Sequence, residues 1–230
     1  MRNMVKVVIS GYGRMGHMVE AALAERGIEC VATSEDIASF DKETAKECVC
    51  IDFTFPQSFR ANYKVLADNF KAVVVGTTGW NDIKDEVISY FESKGTPMIY
   101  SSNYSVGVNV LSAAVELVAK YLGQAGGYDP YIVEKHHIHK LDAPSGTAKS
   151  LAAVVQENMG KTPDTASVRV GGLAGIHTVG FEGAADRLTL THEAFSRKGF
   201  AEGAVLAATM TEGLSGVHEF KELFFKGSAK

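Results

Sequence analysis

Up to Tyr104 the chain alternates between short runs that are apolar at nearly every position and stretches where apolar residues recur three or four apart. Val5–Ile9 is a run of the first kind, closed by Gly11. Met15, Met18, Val19, Ala22 and Leu23 then share one helix face, and Gly27 supplies the stop. Ile28–Thr33, Cys48–Phe53, Ala72–Val75 and Met98–Tyr100 are four further runs that read as buried strands. Phe59–Phe70 and Asp82–Glu92 have helical spacing, the second with Asn81 as its expected cap and Gly95 and Pro97 as its end. A strand that is apolar on both faces must be covered on both faces, and helices between successive strands give that cover. The pattern predicts right-handed crossovers and a parallel sheet.

After Tyr104 the rhythm changes. A long helix, about Val106–Leu122, ends at Gly123 and a Gly126-Gly127 break. A strand is expected at Tyr128–His136, then a helix from Thr147 with Ala148, Leu151, Ala152 and Val155 on one face. Three short alternating segments follow, Ser167–Val170, His177–Phe181 and Leu188–His192, with turns at Gly171-Gly172 and Gly183–Asp186. They predict an antiparallel or mixed sheet. A last helix, about Phe200–Thr211, is expected to carry the chain to its end. The fold class is therefore α/β: a doubly wound parallel sheet over residues 1–105, completed by 203–230, and a smaller α+β domain over 106–202.

Composition narrows the partners. With 46% hydrophobic and 22% charged residues among 230, the chain reads as an ordinary globular protein. A net charge of −4 gives no reason to expect nucleic acid or an anionic membrane. The apolar run near the N-terminus is too short for a signal-peptide core. Asn109 and Glu116 interrupt the longest helix-like apolar stretch, Val106–Val118, which predicts a helix too short and too polar to span a bilayer. Cys30, Cys48 and Cys50 are odd in number and fit buried thiols in a reducing cytoplasm, not a disulfide framework or a zinc site.

Gly11-Tyr12-Gly13-Arg14-Met15-Gly16 is a GxGxxG string in the first strand–helix turn. There Gly11 permits the tight turn, Gly13 lets the backbone approach a pyrophosphate, and Gly16 lets helix and strand pack closely. Glu35 stands 19 residues past Gly16, where an acid would accept the ribose hydroxyls of a dinucleotide, with Ser34 beside it. This predicts a Rossmann-like domain that binds NADH or NADPH. Glu35 favours NADH, whereas Arg14 would suit the extra phosphate of NADPH. Gly76-Thr77-Thr78-Gly79 and Ser101-Ser102-Asn103-Tyr104 fall at the ends of two further strands, where open parallel sheets bind ligands. Gly76, Thr77, Thr78, Ser101, Ser102, Asn103 and Tyr104 are thus candidate cofactor contacts, as are Tyr12 and Met15 of the first loop.

Residues 134–148 carry the densest chemistry: three of the seven histidines, His136, His137 and His139, precede Lys140 and a Pro144-Ser145-Gly146-Thr147 helix start. Proton donors and a cation thus stand beside a turn whose backbone N–H groups suit a carboxylate or phosphate. Histidines three apart also suggest a metal set, but neighbours on a strand point to opposite faces, and no metal is expected. His17, His177, His192 and His218 read as ordinary polar residues.

The full string from Glu134 through His136, His137, Lys140 and Asp142 to Ala143-Pro144-Ser145-Gly146-Thr147-Ala148 closely resembles the signature of the 4-hydroxy-tetrahydrodipicolinate (dihydrodipicolinate) reductase family. Gly13–Gly16, Ile51–Thr54, Gly76–Gly79, Asn103–Asn109, Arg169–Gly171, Gly175–His177 and Thr191–Arg197 resemble family segments in family order. The nucleotide loop is one residue shorter than the commoner form, and the stretch from Ala148 to Arg169 lacks an insertion many members carry. The resemblance is to a compact member, for which the family's tetramer and a dimer both stay open. It implies hydride transfer from NAD(P)H to a cyclic unsaturated dicarboxylate on the diaminopimelate route to lysine. It further implies His136 as proton donor, Lys140 as second donor and carboxylate partner, His137 as a substrate contact, and Ser145, Gly146 and Thr147 as the carboxylate turn. Arg169 is a further candidate carboxylate partner. The competing readings are another dehydrogenase of small dicarboxylates and a nucleotide-binding homologue without turnover.

Overall fold

The computed structural model describes residues 5–226, so expectations for Met1–Met4 and for the chain beyond Lys226 lie outside the described residues. Contacts divide it into two units, one running to Ser105 and resuming at Phe200, the other Val106–Gly199.

The first unit opens with strand β1 (Lys6–Ser10), helix α1 (Arg14–Glu25) and strand β2 (Glu29–Ser34). A single turn α2 (Lys42–Ala45), strand β3 (Cys48–Asp52), helix α3 (Pro56–Asn69) and strand β4 (Ala72–Val75) follow. Helix α4 (Lys84–Lys94) and strand β5 (Met98–Tyr100) complete this run. After the excursion into the second unit come helix α7 (Lys198–Met210), strand β10 (Val217–Glu219) and helix α8 (Phe220–Lys226). The six strands pair in the order β10-β5-β4-β3-β1-β2, all parallel. Val7, Val8, Ile9, Cys50, Ile51 and Val73–Val75 have no exposed surface, as strands sandwiched between helix layers require. β2 lies on one side of β1 and β3 on the other, so the strand order reverses between β1 and β3. Such a reversal opens a crevice at the carboxyl ends of the strands.

The second unit holds α5 (Val106–Ala125), β6 (Asp129–His136), α6 (Gly146–Met159), β7 (Asp164–Arg169), β8 (Gly175–Glu182) and β9 (Arg187–Ala194). Its sheet is ordered β7-β6-β8-β9, with β7 parallel to β6 and the other pairs antiparallel. The mixed option is thus the one realised. Leu111, Val115 and Ala119 of α5 and Leu151 and Val155 of α6 close over Ile132, Val179 and Phe181 on one sheet face.

Four local expectations are corrected. α3 starts at Pro56, because a proline in the first turn needs no N–H and presets φ. Asn81 caps nothing; it opens a 3-10 turn, Asn81–Ile83, that leads into α4. α5 reaches Ala125, and its 20 residues at a mean hydropathy of 1.3 are enough by length and composition to cross a bilayer. One side of it, Leu111, Val115 and Ala119, packs into the core just described, while Val110, Leu117 and Tyr121 stay exposed. The chain does not end with α7: Val217-His218-Glu219 adds the sixth strand, too short and polar to show a period in the sequence. Cys48 and Cys50 are buried, Cys30 is half-buried, and all three are free thiols.

One glycine sets a close approach inside the first unit. A Cβ on Gly203 of α7 would lie 1.8 Å from the Tyr104 carbonyl oxygen. Gly203→Ala is therefore expected to cost about 3 kcal/mol, the upper end of overpacking. Gly172→Ala, where no atom lies within 4 Å of the new Cβ, should stay within about 0.5 kcal/mol. Urea unfolding of both variants checks this, and equal midpoints would refute it.

Candidate active site

At the carboxyl end of β1, Gly11 has φ +86°, and a Cβ there would meet the Phe53 carbonyl oxygen at 2.5 Å. A Cβ on Gly16 would meet the Gly11 carbonyl oxygen at 2.4 Å, so this glycine packs helix on loop. Above Gly13 there is nothing within 4 Å. The three glycines thus serve turn, packing and open approach as their spacing predicts. Gly13 is the cap residue of α1, without a side-chain hydrogen bond and with no acid in the first turn. The helix therefore offers bare N–H groups and the positive end of its dipole to an anion. Arg14 is exposed there, Met15 is half-buried, and Tyr12 donates its hydroxyl to Glu20 and lies against His17. Ser34 ends β2 beside Ser10, with Glu35 exposed next to it.

Under these loops sits Asp52, 1% exposed at the end of β3. It accepts the hydroxyls of Thr54 and Thr77 at 2.9 Å, and Thr77 in turn accepts the Thr54 N–H at 2.7 Å. Burial raises its carboxyl to about 6, against those hydrogen bonds, which pull downward. Asp52 thereby ties the loop after β3 to the loop after β4, a role the sequence did not signal. A Cβ on Gly76 would run into the Phe53 ring, which fills the space between the same loops. Thr77, Thr78, Ser101 and Ser102 line one depression of about 170 Å³ with Lys84 and Tyr100. Tyr104 does not join them. Its ring is buried against Phe53 and Phe220, and its hydroxyl donates to the Val75 and Ile99 carbonyls, so the expected side-chain contact with a cofactor is corrected. The Ser101 hydroxyl and the Asn103 amide are used to close their own loop.

In the second unit Glu134 and His136, two apart on β6, share the buried sheet face, at 0% and 5% exposure. His136 Nδ1 lies against Glu134 Oε2. Arg169, the register partner of His136 on β7, grips the same carboxylate from the side: Nη2 to Oε1 at 2.7 Å and Nη1 to Oε2 at 3.0 Å. Burial would raise the Glu134 carboxyl, but hydrogen bonds from Arg169, Ser167 and His136 hold it down at about 2. Burial lowers the His136 imidazole; Glu134 pulls it up, and the Lys140 and Arg169 charges push it further down. β6 ends at His136, so His137 lies beyond the strand, half-buried, its N–H on the Leu173 carbonyl.

The loop then brings Lys140 to Asp142, Nζ to Oδ1 at 2.9 Å. The Asp142 carboxyl is held low first by that hydrogen bond and also by the Gly146 backbone N–H. An internal carboxylate, four residues ahead of the first residue of α6, thus already pairs with the lysine. Ser145 caps this helix, accepting from Ala148 N–H, and its Oγ lies 3.0 Å from His177 Nε2. His177 is 5% exposed with its ring edge-on to His136, centroids 5.1 Å apart, so this polar residue lies beside the histidine the sequence singled out. Its signal was hidden, since only the β6–β8 pairing of Glu134 with His177 brings it there. His139 is exposed near His137. Glu134, His136 and His177 place ligating atoms within 4.8 Å of one another, the one such group among the described residues. Both Glu134 oxygens already hold Arg169, whose charge stands where a cation would bring its own.

Comparison with known proteins adds the following. The family model described as dihydrodipicolinate reductase, N-terminus, matches residues 5–104, and the one described as dihydrodipicolinate reductase, C-terminus, matches 107–224. A 4-hydroxy-tetrahydrodipicolinate reductase from Methanocorpusculum labreanum is 35% identical over 96% of this chain and 99% of its own length. One from Christiangramia forsetii is 34% identical over 95% and 97%. Among solved structures, the dipicolinate-bound dihydrodipicolinate reductase from Paenisporosarcina sp. TG-14 superposes with a TM-score of 0.80 over 95% of this chain and 99% of that one, at 22% identity, a likeness of fold.

Burial drives the His177 imidazole from 6.5 down to about 4, and the neighbouring His136 charge adds to this. A base held low in the folded state gains protons on unfolding. Its contribution is complete above pH 6.5 and is lost as pH falls towards 4, by about 3 kcal/mol in total. His177→Gln should remove that slope. Urea unfolding of both proteins across the window tests it, and a difference that stays constant with pH would sink it.

Proposed function

Since the chain belongs to the dihydrodipicolinate reductase family, we propose that it reduces 4-hydroxy-tetrahydrodipicolinate to tetrahydrodipicolinate with NADH or NADPH, releasing water, in the diaminopimelate route to lysine. The observation that carries the reading is one short segment. It holds a buried imidazole backed by a carboxylate, a lysine already paired with a carboxylate in the form of Asp142, and a helix N-terminus a few residues on.

Gly11 and Gly13 with the bare amides of α1 hold the dinucleotide pyrophosphate, Ser34 and Glu35 its ribose, and the loops at Gly76–Thr78 and Ser101–Asn103 its nicotinamide end. Glu35 places NADH first, and the exposed Arg14 lets NADPH serve as well. When bound, the reduced nicotinamide supplies hydride. The substrate nitrogen system must then gain a proton, and His136 supplies it as general acid. Lys140 and the Gly146 and Thr147 amides take a substrate carboxylate in exchange for Asp142, while Ser145 holds the turn as cap. His137 stands next to them as a further substrate contact. The chemistry needs no nucleic acid and no membrane, and we assign the protein to the cytoplasm.

The sheet face opposite α5 and α6 carries Val133, Val168 and Ile176 with Thr178, Thr191, Lys135 and Glu193, and Val168 is 40% exposed. A second copy of the chain is its proposed cover, giving a dimer or, as in the family, a tetramer.

In a coupled assay with aspartate semialdehyde, pyruvate and the preceding synthase, both nucleotides should be oxidised, NADH at the lower KM. His136→Gln should cut kcat by about 10²-fold or more with cofactor affinity unchanged, and Lys140→Met should damage kcat and substrate KM together. No oxidation of either nucleotide would defeat the reading, as would wild-type turnover without His136. Separately, sedimentation velocity at micromolar concentration should show a species above the 24.6 kDa monomer, which Val168→Asp with Ile176→Asp dissolves. A wild-type monomer would reject self-association.

A further inference from the structure

A carboxylate has no proton to give, so the contact between Glu134 and His136 assigns the imidazole hydrogen to Nδ1 whenever Glu134 is ionised. The other ring nitrogen is kept accessible by a glycine. A Cβ on Gly175, at φ +153°, would come within 2.9 Å of His136 Nε2. The ring is thus gripped on one side and left clear on the other.

Arg169 makes the grip rigid. Its two bonds to Glu134 use one hydrogen from each terminal nitrogen. The second hydrogen of Nη1 goes to the Val168 carbonyl at 2.9 Å, the second of Nη2 to the Asp142 carbonyl at 2.8 Å, and Nε–H to the Lys140 carbonyl at 3.3 Å. All five guanidinium donors are thereby spent. Arg169 has none left for a substrate carboxylate, which removes the role the sequence suggested. The same planar fork fixes the acceptor behind His136 and the backbone of the loop that carries Lys140. A lysine, with three donors on one point, cannot span those acceptors.

We propose that Glu134 and Arg169 are positioning residues of the reaction: Glu134 fixes the tautomer and orientation of His136, and Arg169 fixes Glu134 and the Lys140 loop. This rests on His136 being the general acid, as proposed above. In its protonated form the ring then bears the transferable hydrogen on Nε2, the uncovered atom, and Nδ1 keeps its hydrogen throughout. Neither partner touches substrate.

The test reads the tautomer directly, with no substrate present. Long-range 1H–15N correlation of ¹⁵N-labelled protein, with His136 assigned by the loss of its signals in His136→Gln, should show neutral His136 protonated at Nδ1. In Glu134→Gln, Arg169 takes the carboxamide oxygen, the NH2 group turns to Nδ1, and the ring hydrogen should move to Nε2. The kcat of that variant should drop about 10²-fold or more, with substrate KM within a few-fold. Arg169→Lys should raise KM as well, because the Lys140 loop loses its anchor. A wild-type ring protonated at Nε2 overturns the proposal, and so does Glu134→Gln with both tautomer and kcat unchanged. Should that variant not fold, the wild-type spectrum decides alone. Because the spectrum needs no turnover, a failure of the reductase assay and a failure of this assignment are told apart.

Discussion

The buried carboxylate of Glu134 is the constraint on which the second unit is arranged. An ionised group with no exposed surface must find its compensation inside the protein, and here a two-pronged arginine from the neighbouring strand provides it. That requirement fixes the parallel pairing of β6 with β7, since only this register sets Arg169 opposite His136 and beside Glu134. Buried ion pairs add little net stability, because desolvation offsets most of the attraction. The arrangement is better understood as geometry: it defines where an imidazole, a lysine loop and a helix start lie relative to one another.

The anion sites we propose in the two units rest on the same device. α1 begins at Gly13 and α6 at Ser145, each exposing backbone N–H groups at the positive end of a helix. The difference lies in what fills them. α1 has neither cap bond nor acid, which suits a diphosphate brought by a ligand. α6 is capped by Ser145, and the lysine ahead of it already holds the Asp142 carboxylate, which suits a carboxylate that displaces an internal one.

Much of this was legible in the sequence because it is local. Strand runs apolar on both faces, the glycine string and the segment from Glu134 to Thr147 each carry their physics within a few residues. What escaped depends on pairing across the chain. His177 reaches the site only through its register with Glu134, and Asp52 gains its two threonines from loops 2 and 25 residues away. Tyr104 misled for the opposite reason. It sits in a loop sequence that suggests a ligand contact, yet the hollow under β4 and β5 takes its ring. β10 is three residues long, and a period cannot be seen in so short a stretch.

The electrostatics of His136 point to coupling between substrate charge and proton supply. Burial and the cations Lys140 and Arg169 hold its pKa below the usual imidazole value, so the free protein keeps the ring mostly neutral at pH 7. A neutral ring with its hydrogen on Nδ1 has nothing to donate from Nε2. A dianionic ligand changes the balance, since its carboxylates neutralise Lys140 and favour a positive charge nearby. In the reaction we propose, the acid is then charged by the arrival of the molecule it protonates, with Glu134 beside it to stabilise the imidazolium.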